Sequence, residues 1–205
     1  MGYRRIHRHI HVGTAKLFPV GLALLGFVPI GSICLALFGI LPLHVSVSWL
    51  IFPAAGLAIA VGLHTPALGR QALRGLASGM LATAIYDSAR LTFVLGGVWG
   101  DFIPTIGALA LANPSASPAW GYLYRYLGDG GALGMTFALL PWRSVRSGLV
   151  FGIGICLGLF GTLLLAPMAQ ATLFRLTPFT ASAALLGHLI YGGALGWLLR
   201  EGRSG

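Results

Sequence analysis

Charged residues are scarce in this sequence. Only 8% of its 205 residues are charged, four of them carboxylates, whereas 57% are hydrophobic. An ordinary soluble domain carries about 25% charged residues, so this chain has too few to cover a surface that faces water. The long apolar runs also lack the alternation of apolar and polar residues that a membrane β-barrel requires. The composition therefore predicts an all-α integral membrane protein.

The sequence motifs of several enzyme and metal-site classes are missing too. The chain has no Gly-x-x-x-x-Gly-Lys-Ser/Thr phosphate loop, no His-Glu-x-x-His, no Cys-x-x-Cys and no Gly-x-Ser-x-Gly. Its two cysteines, Cys34 and Cys156, lie in separate apolar runs, which favours buried thiols over a disulfide or a metal site. We therefore expect no catalytic residue, no cofactor and no metal.

What the sequence does contain is a series of apolar segments of membrane-spanning length. A helix needs about 20 apolar residues to cross a bilayer. The predicted spans cover residues 17–41, 45–63, 71–95, 119–140, 148–168 and 181–199. The connection between the third and fourth spans ends in asparagine, serine and proline residues, which predict a loop. The chain thus divides into a basic, His-rich N-terminal segment (1–16), one six-helix transmembrane domain (17–199) and a cytoplasmic tail (200–205).

Most basic residues flank the predicted spans on one side. With six spans, the following residues all lie on the same face of the membrane: Arg4, Arg5, Arg8, Lys16, Arg70, Arg74, Arg143, Arg146, Arg200 and Arg203. The opposite loops hold Arg175 and Asp101. The positive-inside rule then places both termini in the cytoplasm. Because the charges form small groups at span ends, we expect contact with lipid and none with nucleic acid.

The N-terminal segment combines arginines with three histidines, His7, His9 and His11. Three histidines could in principle bind a metal ion, but no carboxylate or cysteine accompanies them. A basic strip that faces anionic lipid headgroups is the favoured interpretation.

Parts of the sequence repeat. Gly-Leu-x-x-Gly occurs at the start of the third span (75–79) and of the fifth (148–152), and residues 126–134 resemble 188–196, both containing Gly-Gly-Ala-Leu-Gly. This pattern predicts a duplicated helical hairpin, spans three plus four and spans five plus six, related by an axis along the membrane normal. Chance matching in a chain rich in glycine and leucine is the alternative.

Glycines four residues apart lie on one helix face and let another backbone approach closely. In the last four predicted spans, the pairs with this spacing are Gly75 and Gly79, Gly130 and Gly134, Gly148 and Gly152, Gly154 and Gly158, and Gly192 and Gly196. We expect close contact between helices at all of these pairs.

Ionisable residues inside the spans are the candidate functional groups, because burying a charge in a bilayer costs from about 3 to more than 10 kcal/mol. Two acid–base pairs have helical spacing, one three residues apart in span three and one four apart in span four. A histidine in span six and two tyrosines accompany them. The predicted polar intramembrane cluster is Asp87, Arg90, Arg125, Asp129, His188, Tyr126 and Tyr191.

A structural ion-pair network is the favoured interpretation of this cluster, with a transport or ligand-binding site as the alternative. We expect Asp129 to pair with Arg125 or with a cationic group on another span. If that pair is structural, Asp129→Asn should lower stability and the added change Arg125→Gln should recover part of the loss. If it serves transport or proton transfer, the single variant should remain folded and lose only activity.

The last span contains His188-Leu189-Ile190-Tyr191-Gly192 within a glycine-rich segment. Together with the Gly-Leu-x-x-Gly span starts, it resembles small bacterial polytopic inner-membrane proteins of unknown function, over about residues 70–200. The resemblance implies a bacterial inner-membrane location and a glycine-rich helical core that ends in a His-Leu-x-Tyr-Gly helix. It implies no activity.

Two function classes stay open. The small size, the dense glycines and the missing catalytic motifs favour an accessory or scaffold subunit that binds other membrane subunits or further copies of itself. The alternative is a small transporter, channel or ligand-binding protein with a polar site in the outer half of spans three, four and six. An aqueous cavity that reaches the cluster from the outer face would favour this alternative, because a sealed ion-pair network has none. An intramembrane enzyme is a third, less favoured class.

Overall fold

The structure, a computed structural model, describes residues 18–200. In chain order its helices are α1 (Phe18–Leu25), α2 (Val28–Leu37), α3 (Leu43–His64), α4 (Pro66–Leu95), α5 (Ile103–Leu111), α6 (residues 118–139), α7 (Val145–Leu165), α8 (Ala169–Thr172) and α9 (Pro178–Leu199). Two of them contain a π-helical stretch, Val47–Ile51 in α3 and Tyr124–Gly131 in α6. Between residues 18 and 200 there is no β-strand, in keeping with the all-α prediction. The His-rich N-terminal segment and the tail after residue 200 lie outside the described residues.

Several helices are long and apolar enough to cross a membrane. Among residues 18–200 these are α3, α7 and α9, and α1 with α2 adds a fourth if the bent pair forms one span. They expose large apolar side chains, such as Leu57, Leu157 and Trp197. A surface of this kind suits lipid rather than water. The prediction of an all-α membrane protein is confirmed at this level.

The first predicted span is a broken helix. The axes of α1 and α2 differ by 42°, and Pro29 in the first turn of α2 has no N–H with which to continue the helix from α1. At the bend, Gly26 lies against the backbone carbonyl of Ala132 in α6. The Thr136 hydroxyl of α6 donates to the Ala23 carbonyl of α1 over 2.7 Å. Both contacts hold the bend against α6.

α4 and α6 correspond to the predicted third and fourth spans, but neither is among the apolar helices. Each carries one acid–base pair, Asp87 with Arg90 in α4 and Arg125 with Asp129 in α6. The two helices pack against each other through glycines. Their ionic side chains therefore meet inside the bundle rather than at its surface.

The connection between the predicted third and fourth spans contains a helix, α5, that the sequence analysis did not predict, while the predicted loop of asparagine, serine and proline residues lies between α5 and α6. The Asp101 carboxylate accepts a hydrogen bond from the Ile103 N–H over 3.2 Å and so satisfies a donor at the start of α5. Gly107 of α5 packs against the backbone of Gly121 in α6. The helix ends at Ala112, which has a left-handed backbone conformation (φ 50°), just before the asparagine and proline breakers.

Glycines bring two pairs of helices into backbone contact. A Cβ atom at Gly79 of α4 would collide with the carbonyl oxygen of Gly130 in α6 and would lie 2.8 Å from the Cα atom of Gly134. A Cβ atom at Gly148 of α7 would collide with the carbonyl oxygen of Gly192 in α9. The α4–α6 and α7–α9 interfaces thus use the same kind of contact.

The register of these contacts differs by one helical turn from the register of the sequence repeat. In the sequence, Gly75 corresponds to Gly148, because each opens a Gly-Leu-x-x-Gly motif. In the structure, Gly79 contacts Gly130 of α6 as Gly148 contacts Gly192 of α9. The Gly-Gly-Ala-Leu-Gly segments of α6 and α9 therefore have equivalent contacts. In α4, the structural equivalent of Gly148 is Gly79, four residues after the Gly75 that the sequence repeat assigns to it.

One predicted glycine contact is absent from the described part of the chain. Nothing lies within 4 Å of the Cβ position at Gly154 or at Gly158, both in α7. The expectation of close packing at this pair is therefore wrong for residues 18–200. Both glycines line a cavity instead.

Candidate functional site

Five ionic side chains form one connected ion chain in the order Asp101, Arg90, Asp87, Arg125 and Asp129. Arg90 bridges two carboxylates, with Nη1 3.0 Å from Asp101 Oδ1 and Nε 3.1 Å from Asp87 Oδ1. Arg125 bridges the next two, with Nη2 3.0 Å from Asp87 Oδ1 and Nη1 3.1 Å from Asp129 Oδ2. The signs alternate along the ion chain, and both of its ends are acidic.

The middle of the ion chain is buried and its ends are partly open. Asp87 and Arg90 are each 1% exposed and Arg125 is 8% exposed. The side chains of Asp101 and Asp129 are 25% and 20% exposed. Buried charges are costly unless they are paired and hydrogen-bonded. The middle three residues therefore satisfy one another, while an end residue is accessible to a further partner.

Aromatic rings lie over both guanidinium groups. Cζ of Arg125 is 4.7 Å from the ring centroid of Tyr86, and Cζ of Arg90 is 5.6 Å from that of Phe102. Cation–π contacts of this kind add to the ion pairs. The Tyr86 ring in turn packs against Gly187 of α9, where any side chain would collide with it. α9 thus helps to place Arg125.

Asp101, at one end of the ion chain, has several donors. The Tyr122 hydroxyl donates to Asp101 Oδ2 over 2.8 Å, and the Ile103 N–H and Arg90 donate to Oδ1. Partial burial opposes ionisation of Asp101, but these hydrogen bonds outweigh it and lower its pKa. The sequence prediction missed this residue. An aspartate two positions before a helix start is a capping signal that could have found it.

Asp129, at the other end, has a single ionic contact. Arg125 is its one ion-pair partner among the described residues, and Arg125 also donates from Nε to Asp87 over 3.0 Å. The ion chain holds three carboxylates and two guanidinium groups, so its formal charge is 2 − 3 = −1. Asp101 has three donors and Asp129 has one among the described residues, so Asp129 is the less compensated of the two terminal carboxylates.

Asp129 lines a cavity of about 670 Å³. Its volume lies in the range usual for small-molecule sites, about 300 to 1,000 Å³. One wall is polar and consists of Thr83, Arg125, Asp129, His188 and Tyr191. Most of the remaining lining is apolar and comes from α2 and α7. The cavity is therefore amphipathic, with its charge concentrated on one side.

Three residues of the predicted cluster lie outside the ion chain. Of these, His188 and Tyr191 belong to the polar wall and Tyr126 does not. The ring of His188 bonds through Nδ1 to the Ala184 carbonyl over 2.7 Å. Since a carbonyl only accepts, Nδ1 carries the hydrogen and Nε2 of the neutral ring is an acceptor. The Tyr191 hydroxyl donates to the Gly130 carbonyl over 2.8 Å and ties α9 to α6. Tyr126 lies outside the cavity lining.

Both α2 and α7 line the cavity, and side-chain contacts join α7 to α2 and to Phe27, the residue just before α2. Near one end, the rings of Phe27 and Phe151 have centroids 6.4 Å apart. Near the other, Cys34 Sγ lies 3.5 Å from Thr162 Oγ1. Gly31 lies between Phe27 and Cys34 in the sequence, and Gly154 and Gly158 lie between Phe151 and Thr162.

The two helices leave a gap between those contacts. Gly31 of α2 and Gly154 and Gly158 of α7 line the cavity, and no atom from elsewhere in residues 18–200 lies within 4 Å of a Cβ position at any of them. Gly154 and Gly158 are exposed. We call this gap, bordered by the three glycines, the lateral window. Because Gly154 and Gly158 both line the cavity and are exposed, the cavity is open on the side of these residues.

Neither a metal centre nor a relative points to an activity. Within residues 18–200, no group of three or more histidine, cysteine, aspartate or glutamate side chains could hold a metal ion. No protein-family model matches this chain, and no curated protein or solved structure gives a significant match to it.

Proposed function

We propose that this chain is a ligand-binding membrane protein whose site is the cavity beside the ion chain. One observation carries the proposal: the least compensated carboxylate of the ion chain, Asp129, faces an apolar cavity of ligand size. A purely structural ion-pair network needs no cavity. The cavity therefore favours the ligand-binding alternative over a structural role alone.

The lateral window indicates the direction from which a ligand enters. If α2 and α7 cross the membrane, a gap between them faces lipid acyl chains rather than water. The lining that α2 and α7 contribute is mainly apolar. A ligand of this site is therefore drawn from the bilayer and has a largely apolar body.

Obstructing the lateral window should weaken ligand binding at least tenfold without unfolding the protein. Gly158→Leu places a side chain in the lateral window, where nothing lies within 4 Å of the Cβ position. Gly161→Leu is the matched control, because Gly161 is on the same helix, has equally open surroundings and does not line the cavity. In nanodiscs, tritiated dodecanol should bind the wild type and Gly161→Leu saturably, and Gly158→Leu at most one tenth as well, a loss of about 1.4 kcal/mol. Equal binding by all three proteins, or no saturable binding to the wild type, contradicts the proposal.

A second candidate, an accessory subunit, is favoured by α3. Only 6% of its most apolar stretch is buried, against 50% for α9. This long face is open to a helix of another membrane subunit. A chain that purifies from gently solubilised membranes as a stable, monodisperse species without a partner argues against this candidate.

The proposed setting is a bacterial inner membrane, crossed six times, with both termini in the cytoplasm. The six spans are α1 with α2, then α3, α4, α6, α7 and α9. We count α4 and α6 because the ion chain pairs their charges inside the bundle. The equivalent glycine contacts of α4 with α6 and of α7 with α9 support a duplicated hairpin. The bacterial location follows from the sequence resemblance described above.

Reporter fusions test this topology. A reporter that is active only outside the cytoplasm should be inactive after Gly205 and active when inserted between Asn113 and Pro118. The reason is the positive-inside rule applied to an even number of spans. The same signal at both sites refutes the six-span arrangement.

A further inference from the structure

We propose that the ligand carries one ammonium group, which binds Asp129, on an apolar body that fills the cavity. This inference rests on the proposed function and adds the chemical class of the ligand.

The charge of the ion chain determines the sign of the ligand head group. Three carboxylates and two guanidinium groups leave one negative charge uncompensated, and Asp129 is the acid with the fewest donors. A cationic group of the ligand beside Asp129 would follow this carboxylate as the next charge of opposite sign. The ion chain and the ligand together would then have a net charge of zero. An anionic head group would place a second surplus negative charge in a site with little water, which is unfavourable.

The hydrogen-bonding atoms on the polar wall also match an ammonium group. Oδ1 of Asp129 accepts no hydrogen bond from the described residues, since the one from Arg125 goes to Oδ2. Nε2 of the neutral His188 ring is an acceptor, because Nδ1 donates to a backbone carbonyl. The hydroxyl hydrogen of Tyr191 is already used by the backbone of α6. The guanidinium group of Arg125 on the same wall is already engaged by Asp87 and Asp129. An ammonium group has three donors and no acceptor, so it complements the open acceptors of Asp129 and His188.

The rest of the ligand is determined by the apolar part of the cavity. Ile30, Ile33, Leu133, Ile155 and Leu159 belong to its apolar lining. Burial of alkyl groups against such side chains is favourable. A primary amine on an alkyl chain therefore satisfies both the polar wall and the apolar lining.

Competing amphiphiles with one alkyl chain and different head groups test this inference. Dodecylammonium, dodecanol and dodecanoate are compared as competitors of tritiated dodecanol, in nanodiscs of a zwitterionic lipid that does not concentrate the amine by charge. A hydrogen bond to a charged group is about 1 kcal/mol or more stronger than a neutral one, so dodecylammonium should compete at about one tenth of the dodecanol concentration. Dodecanoate should compete least.

Variants assign the preference to Asp129. Asp129→Asn removes the surplus charge, and its preference for dodecylammonium over dodecanol should fall from about tenfold to near onefold. Glu201→Gln, the same carboxylate-to-amide change outside the described residues, should keep the tenfold preference.

The outcomes separate the two proposals. Equal competition by dodecylammonium and dodecanol in the wild type, or stronger competition by dodecanoate, overturns the ammonium inference and leaves the proposed function standing. A tenfold preference that survives Asp129→Asn overturns the assignment to Asp129. Absence of saturable dodecanol binding overturns the proposed function itself. Because the three head groups are compared on the wild type, the test does not depend on the folding of any variant.

Discussion

Arg125→Gln should destabilise the protein more than any other single change in the ion chain. Arg125 is the ionic link between Asp87 and Asp129 in the described part of the chain, and it is 8% exposed. Its removal leaves Asp87 with Arg90 alone and Asp129 without a cation. Breaking a buried ion pair from one side costs about 3 to 5 kcal/mol. The thermal unfolding midpoint in detergent and the yield of folded protein should both fall.

An exposed arginine provides the control. Arg175 lies in the connection before α9, is exposed, and forms no ion pair within residues 18–200. Arg175→Gln should change the free energy of unfolding by about 0.5 kcal/mol or less. Similar losses for the two arginines would mean that the ion chain contributes nothing specific to stability.

The same experiment extends to Asp129. Asp129→Asn makes the ion chain neutral, and Arg125 keeps its contacts with Asp87, so this variant should lose only about 1 kcal/mol. Adding Asp129→Asn to Arg125→Gln should recover about 1 kcal/mol or more, because the double variant contains no unpaired carboxylate at position 129. If Asp129→Asn loses as much stability as Arg125→Gln, the stabilising contact is the Arg125–Asp129 pair within α6 and not the link from Arg125 to Asp87.

The helices of the C-terminal half could be predicted to within a few residues. The predicted starts at residues 148 and 181 each fall three residues late. In both helices a capping box lies just upstream, Ser144 with Ser147 and Thr177 with Thr180. These are sequence signals with a known mechanism, but apolar periodicity alone does not include them. The span limits therefore followed hydropathy and missed the polar first turn.

The site was only partly predictable, for a different reason. Spacing along one helix predicts the pairs of Asp87 with Arg90 and of Arg125 with Asp129. The link between Asp87 and Arg125 depends on how closely α4 and α6 approach, which the backbone contact at Gly79 determines. Spacing on a single helix carries no information about that distance.

The cavity could not be predicted at all from the spacing of glycines. Gly148 and Gly152 are four apart and press against α9, while Gly154 and Gly158 have the same spacing and face open space. A glycine pair permits close approach but does not require it. Only the position of the neighbouring helix decides whether the missing side chain serves packing or leaves a cavity.

Gly148→Ala should separate these two roles of glycine by a large loss of stability. A Cβ atom at Gly148 would collide with the carbonyl oxygen of Gly192 and would lie 2.9 Å from the Cα atom of Gly196. Both obstacles are backbone atoms of α9, which cannot rotate away as a side chain can. Relief requires α7 and α9 to move apart along their interface. Overpacking of this kind costs about 1 to 3 kcal/mol, occasionally more, so we expect a loss of about 3 kcal/mol in thermal or denaturant unfolding.

Gly154→Ala is the matched control, since it makes the same chemical change less than two turns away on the same helix. Nothing lies within 4 Å of its Cβ position, and alanine is favoured over glycine inside a helix by about 1 kcal/mol. This variant should unfold at the same temperature as the wild type or higher. Gly79→Ala, which meets Gly130 of α6 as Gly148 meets Gly192 of α9, should lose stability as Gly148→Ala does. Equal stability of Gly148→Ala and Gly154→Ala would mean that α7 and α9 are not in backbone contact, and the equivalence of the two helix pairs would fail with it.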